Sequence, residues 1–481
     1  MRYNPVRMKF LKRLVALAVI PAVLLGQGCQ KGSSPEAKAL AKPVVMNVWG
    51  VVDDLDAYQP VFTDFQKQFP YVELRFKRFR LEEYEDQLLN AMAEDRGPDV
   101  FLVHNSWVTK YLPKILPAPK SVKAAVQVSG GGAGPGNASA VYQVVTAPTL
   151  SLAAYRSEFA DVAAADGIRS VNVSTDPGKI IMEERVVGIP MSVDTLGLYL
   201  NKDLLNAAGI PTPPESWDQF QAQVKRLTRQ DDQGKIVRAG AGIGLGANVE
   251  RSQDIISLLM MQNRAQMTND AGYPTFARVP QELSQERRLP PGVEALRFYS
   301  EFANPSKDVY TWNTDQPNSL DAFIRGNAAF FLGFNYHLPT IRARAPKINL
   351  GISKVPQITG LPQVNFANYW LWTVSKRSKA PDMAWQLVNF MTGKDAVTKH
   401  LAIVKRPAAR KALLQAQFES EDTGVFASQV LTAKSWYRGT DPRATDNAMS
   451  QMLDAAPAAA DDNELQELLR ITEEKVAQTV R

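Results

Sequence analysis

The chain has 481 residues, with 55 Lys+Arg against 49 Asp+Glu, a formal charge of +6, three histidines and one cysteine. Such a length calls for two or three domains, and a composition of 45% hydrophobic and 22% charged residues excludes collagen-like, disordered and multi-span membrane classes. A single cysteine excludes an internal disulfide and a Cys-rich metal site, and the scattered His104, His337 and His400 offer little to a histidine cluster.

The first 28 residues hold Arg2, Arg7, Lys9, Lys12 and Arg13 and no acid; without these five, 50 bases face 49 acids. The excess charge therefore gives no support to a nucleic-acid partner. Leu14–Leu25 is a short apolar run, interrupted by Pro21 and ending in Gly26-Gln27-Gly28-Cys29. A basic start, a short apolar run and small residues predict a secretory signal over 1–28, since a bilayer-spanning helix needs roughly 20 apolar residues. Gly28-Cys29 resembles the lipoprotein signal of bacteria, although Gly26 stands where such signals usually carry Leu. The resemblance implies acylation of Cys29 and a lipid anchor in a membrane. Residues 29–43, polar and rich in Ser, Pro, Ala and Lys, are expected to be a tether with no helix or strand face.

Val44–Val52 reads as a strand, Tyr58–Phe69 as a helix ended by Pro70, and Val72–Phe79 as a half-exposed strand. Leu81–Arg96 is helical by the spacing of Tyr84, Leu88, Leu89 and Met92, and Asp99–Val103 is a buried strand. This alternation predicts an α/β layer with parallel strands. Residues 113–184 break the pattern with Pro113, Pro117, Pro119 and the Gly-rich 129–136; a solvated insertion loop is expected there. The α/β pattern resumes from Gly188. Further helices are predicted over 214–227, 293–302, 319–326, 382–391, 444–455 and 464–480, with strands over 328–333, 348–355 and 369–374.

Gly240, Gly242, Gly244 and Gly246 alternate, unlike the G-x-G-x-x-G of a dinucleotide turn, and read as a strand end. The chain has no phosphate loop, no H-E-x-x-H and no G-x-S-x-G. Asp53 and Asp54 are adjacent on an extended segment and so point to opposite sides, a poor match for facing glycosidase carboxylates. No enzyme activity, metal or cofactor is expected.

Four ordered segments carry a family resemblance: Pro190–Ile210 with its Asn201-Lys202-Asp203, Pro214–Phe220, Ala322–Phe330 and Tyr369–Lys376 with Ala384-Trp385. They resemble the bacterial extracellular solute-binding proteins of ABC importers, in the sugar-binding, maltose-binding-protein-like group. The resemblance implies a two-lobed, periplasmic-binding-protein-like α/β fold with a hinge and a ligand cleft between the lobes. It places lobe 1 over 44–192, lobe 2 over 193–348, a return to lobe 1 over 349–393 and a return to lobe 2 over 394–481.

Ligands of open α/β sheets sit beyond the carboxyl ends of strands. That rule selects Asp53 and Asp54, then Asn105, Ser106 and Trp107, then Asn248 and Arg251, then Asn335 and Tyr336. The resemblance adds Asp194 at a crossing segment and the aromatics Trp370 and Trp436. Aromatic faces cover the C–H side of a sugar ring while acids, amides and arginines bond its hydroxyls. The expected function is thus a monomeric, lipid-anchored receptor at the cell surface or in the periplasm, handing a small solute, a carbohydrate above all, to ABC importer membrane subunits. The alternatives are a lipoprotein serving a sensor system, a non-sugar solute, and a surface glycosidase.

Overall fold

The computed structural model describes residues 33–128, 140–174, 176 and 178–480. The expected signal, Cys29 and the Gly-rich 129–136 lie outside these residues. Two sheets, each with its own apolar core, make two lobes.

The first sheet starts as the sequence predicts. β1 (Val44–Gly50) pairs in parallel with β2 (Val72–Arg78) and β3 (Val100–His104), and helices Leu55–Gln68 and Leu81–Ala93 make the crossovers. Pro60 sits in the first helix's opening turns, while Tyr58, Val61, Phe62 and Phe65 face the sheet. The expected solvated loop over 113–184 instead forms helices and strands over most of its described residues. It forms the antiparallel pairs β4 (Ser121–Val128) with β5 (Val141–Pro148) and β6 (Ile168–Asn172) with β7 (Met182–Val186). Helices Leu152–Glu158 and Asp161–Gly167 lie between the two pairs. Its prolines and glycines punctuate short strands rather than abolish them; Val122, Ala124 and Ala125 of β4 lie in the core of the first lobe. The tether expectation also needs correction. Pro35–Leu40 is a helix, capped by Ser34 Oγ at 3.1 Å from the Ala37 N–H.

β8 (Ile189–Pro190) closes the first sheet, and the chain then crosses into the second lobe at Val193-Asp194. There β9 (Asp194–Asn201) is buried at every position. Helix Trp217–Leu227, capped by Ser216, leads to β10 (Arg229–Gln230) and β11 (Ile236–Ala241). The glycine run is the end of β11 and the turn after it. Gly244 has φ +114, and a Cβ on Gly246 would stand 2.1 Å from the Ser450 carbonyl oxygen, so both positions require glycine. β12 (Ala328–Phe334) lies between β11 and β9.

The predicted lobe boundaries do not hold after residue 348. β13 (Leu350–Lys354) and β14 (Asn365–Asn368) both pair with β9 and so belong to the second lobe. β15 (Trp370–Val374) returns to the first sheet beside β3. Helix Lys394–Val404, assigned to the second lobe from sequence, packs on Leu55–Gln68 of the first, with His400 Nδ1 3.1 Å from the Ala57 carbonyl oxygen. An amphipathic period identifies a helix but not the sheet that receives it. A third crossing follows Leu414, where β16 (Ala433–Lys434) joins β14, and helices Pro442–Ala455 and Asp462–Ala477 complete the second lobe.

Candidate cleft between the lobes

A cavity of about 920 Å³ lies between the lobes. It opens beyond the carboxyl ends of β1 and β3 and is covered from the second lobe by the segment after Gly246, by Tyr336 and by helix Pro442–Ala455. Nine of the twelve sequence-selected residues line it: Asp53, Asn105, Ser106, Trp107, Asp194, Arg251, Tyr336, Trp370 and Trp436.

The other three do not. Asp54 stands at the N-cap of helix Leu55–Gln68 and is engaged by Arg78 at 2.6 Å. The side chain of Asn248 is consumed within the second lobe: it donates to the carbonyls of Asn313 and Gln316 and accepts from Trp312 Nε1. Buried Asn335 donates through Nδ2 to the Asp422 carbonyl oxygen at 2.8 Å.

Three half-buried aromatics present surface to the cavity. Trp107 is stacked on Tyr111, and Trp370 meets Trp107 and His104 edge-on at 5.3 and 5.1 Å between ring centroids. Opposite them, Tyr336 is stacked on Phe334. Trp436 is largely core: it is 7% exposed, its Nε1 donates to Ser257 Oγ and its ring meets Phe276 edge-on. Trp372 and Trp385 are buried in the core of the first lobe.

The charged groups divide by role. Asp53 accepts two bonds from Arg406, at 2.8 and 3.1 Å, and one from the Tyr58 hydroxyl, while His400 Nε2 stands 3.5 Å away. Burial works against its charge, but His400 and Arg406 outweigh burial and hold the carboxyl below its usual range. Across the cleft, Arg251 binds Asp254 through Nε and Nη2 at 2.7 and 2.6 Å. Arg251 has φ +57, a left-handed conformation uncommon for a residue other than glycine, and its guanidinium lines the cavity from the start of helix Ser252–Gln262. Lys405, the residue before Arg406, is left-handed too.

Asp194 was selected as a ligand contact, and its carboxylate does reach the cavity wall. Its oxygens, however, are taken by backbone N–H groups of Thr195, Asn335 and Tyr336 at 2.8, 3.0 and 3.1 Å. Burial pushes its pKa up to about 6 against the pull of these bonds. Asp194 therefore sets the backbone that carries Tyr336. Asp194→Ala strands three buried donors and is expected to lower unfolding free energy by about 1–3 kcal/mol, measured by urea titration; a change within error would remove this role.

Several cleft residues escaped the sequence reading. His104 lies between Ser106 Oγ (2.8 Å) and Asn368 Oδ1 (3.2 Å), and burial, with the Arg251 charge beside it, pushes its imidazole down to about 4. Asp446 lines the cavity from helix Pro442–Ala455 with its surface open to the cavity solvent. Enclosure by protein raises its pKa to about 7, Arg251 pulls it down and Asp254 pushes it up. Asp254 did have a local signal, an acid directly ahead of the mostly apolar stretch Ile255–Met261. Asp446 and Arg406 had none, because tertiary closure alone brings them to the cleft. Among the described residues, no group of three His, Cys, Asp or Glu side chains could hold a metal ion.

The hinge side of the cleft is tied by Asp166, a fully buried acid from the 113–184 segment. It accepts from the Tyr369 hydroxyl at 2.6 Å, from Ser435 Oγ at 2.7 Å and from Asn105 Nδ2 at 3.4 Å, and Arg438 Nη2 stands 2.8 Å from it. One carboxylate thus joins the first lobe to both return crossings.

Known proteins share this architecture. A cyclo/maltodextrin-binding protein solved with maltotetraose matches with a TM-score of 0.65 at 16% identity, over 90% of this chain and 98% of that one. The sugar-binding protein MalE of Xanthomonas citri matches at 0.64 and 18% identity, over 90% and 98%. The GacH receptor of Streptomyces glaucescens, solved unliganded and with acarbose, matches at 0.61 and 17% identity, over 91% and 98%. At such identities the likeness concerns the fold. A Brucella abortus (strain 2308) protein bearing the name of a binding protein is 20% identical over 221 residues, 45% of this chain. The match spans about half of that relative, 48%. Residues 50–398 match the profile of the family described as bacterial extracellular solute-binding protein. With the larger part of its length inside that profile and two lobes enclosing a cleft, the chain belongs to the family of bacterial extracellular solute-binding proteins.

Proposed function

We propose that the protein is a receptor that captures a carbohydrate between its lobes, without chemical change, and delivers it to an ABC importer. The supporting observation is the cleft itself, where aromatic faces from both lobes stand beside carboxylates and guanidinium groups. That mixture suits a pyranose, with rings against the C–H faces and ionic groups on the hydroxyls. The volume lies near the top of the roughly 300–1,000 Å³ usual for small-molecule sites, which favours a solute of more than one sugar ring. Fold relatives solved with maltotetraose and acarbose agree with this choice. Solute would favour the closed arrangement over the open one by contacting both lobes. The chain would act as a monomer, held on a membrane surface through acylated Cys29.

Asp446 gives the reading a pH signature. Solute hydroxyls that donate to its carboxylate favour the charged form, so binding lowers the pKa from about 7 and releases a proton. Affinity should therefore rise as pH increases from 6 to 8, and Asp446→Asn should flatten the rise. Calorimetric titration with an oligosaccharide at three pH values checks this. An unchanged slope in the variant would assign the pH dependence elsewhere.

A further inference from the structure

The N-terminal helix does not project freely from the first lobe. Ser33 Oγ accepts from the Tyr142 N–H at 2.8 Å on β5, and Glu36 pairs with Lys123 on β4 at 2.9 Å. The β4–β5 pair is fastened in turn to the base of the first sheet. The Ala125 N–H donates to the Tyr71 hydroxyl, Tyr71 meets Tyr142 edge-on, and Asp382 accepts from the Lys123 N–H. Tyr71 directly precedes β2, and Val44 begins β1 just after the helix. This whole assembly therefore sits at the amino ends of β1 and β2. The cleft lies at the carboxyl ends of β1 and β3, about 20 Å away along a seven-residue strand.

Four chain steps separate Ser33 from Cys29, a reach of about 14 Å when fully extended. Residues 33–43, 119–128 and 140–148 carry Lys38, Lys42, Lys120 and Lys123 against the single acid Glu36. All four lysines are exposed, and only Lys123 is engaged by that acid.

We propose that helix Pro35–Leu40 and the β4–β5 pair form a bilayer-facing base that rests on anionic phospholipid headgroups, so that the cleft faces away from the membrane that holds the protein. This rests on the lipid-anchor reading above, because the short reach of the anchor is what brings the base to the bilayer. The free lysines then meet opposite charge, and the attraction weakens with salt. Delivery to importer subunits in the same membrane requires the base to lift first. The part of that insertion between Pro113 and Tyr155, which holds Lys114, Lys120 and Lys123 and no acid, thereby gains a role beyond insertion.

The test uses the full acylated chain on vesicles. In the anchored protein Cys29 is blocked, so one introduced cysteine takes one fluorophore. Labels at Gln143→Cys on β5 and at Gln233→Cys in the β10–β11 turn of the second lobe are compared on vesicles containing a nitroxide-headgroup lipid. The expected result is at least threefold stronger quenching at 143 than at 233, larger with phosphatidylglycerol than with phosphatidylcholine alone. Combined Lys38→Glu, Lys42→Glu and Lys120→Glu should shrink that difference while the protein still floats with the vesicles. Equal quenching at the two labels in a protein that floats would overturn the base and leave the anchor standing. Failure to float, with Cys29→Ser behaving like the parent, would overturn the anchor and the base together.

Discussion

Asp166→Ala is expected to lower the free energy of unfolding by about 3–5 kcal/mol, the largest loss from any single substitution proposed for this chain. The carboxylate is fully buried and is the shared partner of Tyr369, Ser435, Asn105 and Arg438, with Arg169 at 3.8 Å. Removing it leaves the Tyr369 hydroxyl without its acid and two guanidinium groups beside a hole in place of a counter-charge. The variant should also loosen the relative position of the lobes, because the network spans Asp161–Gly167, the β14–β15 crossing and the segment after β16. Urea unfolding measures the first effect, and the radius of gyration in solution scattering measures the second. Asp166→Asn keeps the shape but not the charge and should recover only part of the loss. Stability within 1 kcal/mol of the parent for Asp166→Ala would show that the network is dispensable.

The second large effect concerns binding. Trp370→Ala should weaken solute affinity about thirtyfold, the equivalent of about 2 kcal/mol for a central aromatic anchor. Trp370 is the hub of the aromatic wall, in contact with Trp107, His104 and Tyr84. Its loss removes a stacking face and also frees Trp107 to move. Trp370→Phe, which keeps a ring of smaller area, should retain most of the affinity. That contrast separates stacking from a general loss of packing, since both variants shorten the side chain. Equal affinity in parent and alanine variant, measured calorimetrically, would place the solute elsewhere.

Much of the fold was legible from local pattern. The period-two and period-3.6 runs from Val44 to Val103 gave the parallel β1–β3 layer, and the helices over 382–391 and 444–455 were placed within a few residues. What failed was destination. Nothing in Lys394–Val404 says that it packs on Leu55–Gln68, and nothing in Leu350–Lys354 says that it pairs with β9. Docking partners are set by shape at long range, which periodicity does not encode.

The cleft shows the same division. The strand-end rule found Asp53, Trp107, Arg251 and Tyr336, because the carboxyl ends of strands are fixed by the layer architecture. It also collected Asn248 and Asn335, whose side chains satisfy backbone groups nearby. It missed Asp166 for a physical reason. A segment full of proline and glycine reads as solvent-facing, yet one acid within it, Asp166, pairs with Arg438, which reaches the hinge from a distant part of the chain.

The claim that a sugar binds between the lobes is tested most directly by thermal unfolding of the purified protein against mono- and oligosaccharides, amino acids and polyamines. A ligand that binds only the folded state, at a hundredfold excess over its Kd, adds about 2.7 kcal/mol to apparent stability. The predicted result is a raised midpoint with an oligosaccharide, reduced at the same sugar concentration in Trp370→Ala when each protein is compared with its own unliganded form. No shift with any sugar in a well-folded sample, or an equal shift in Trp370→Ala, would contradict it.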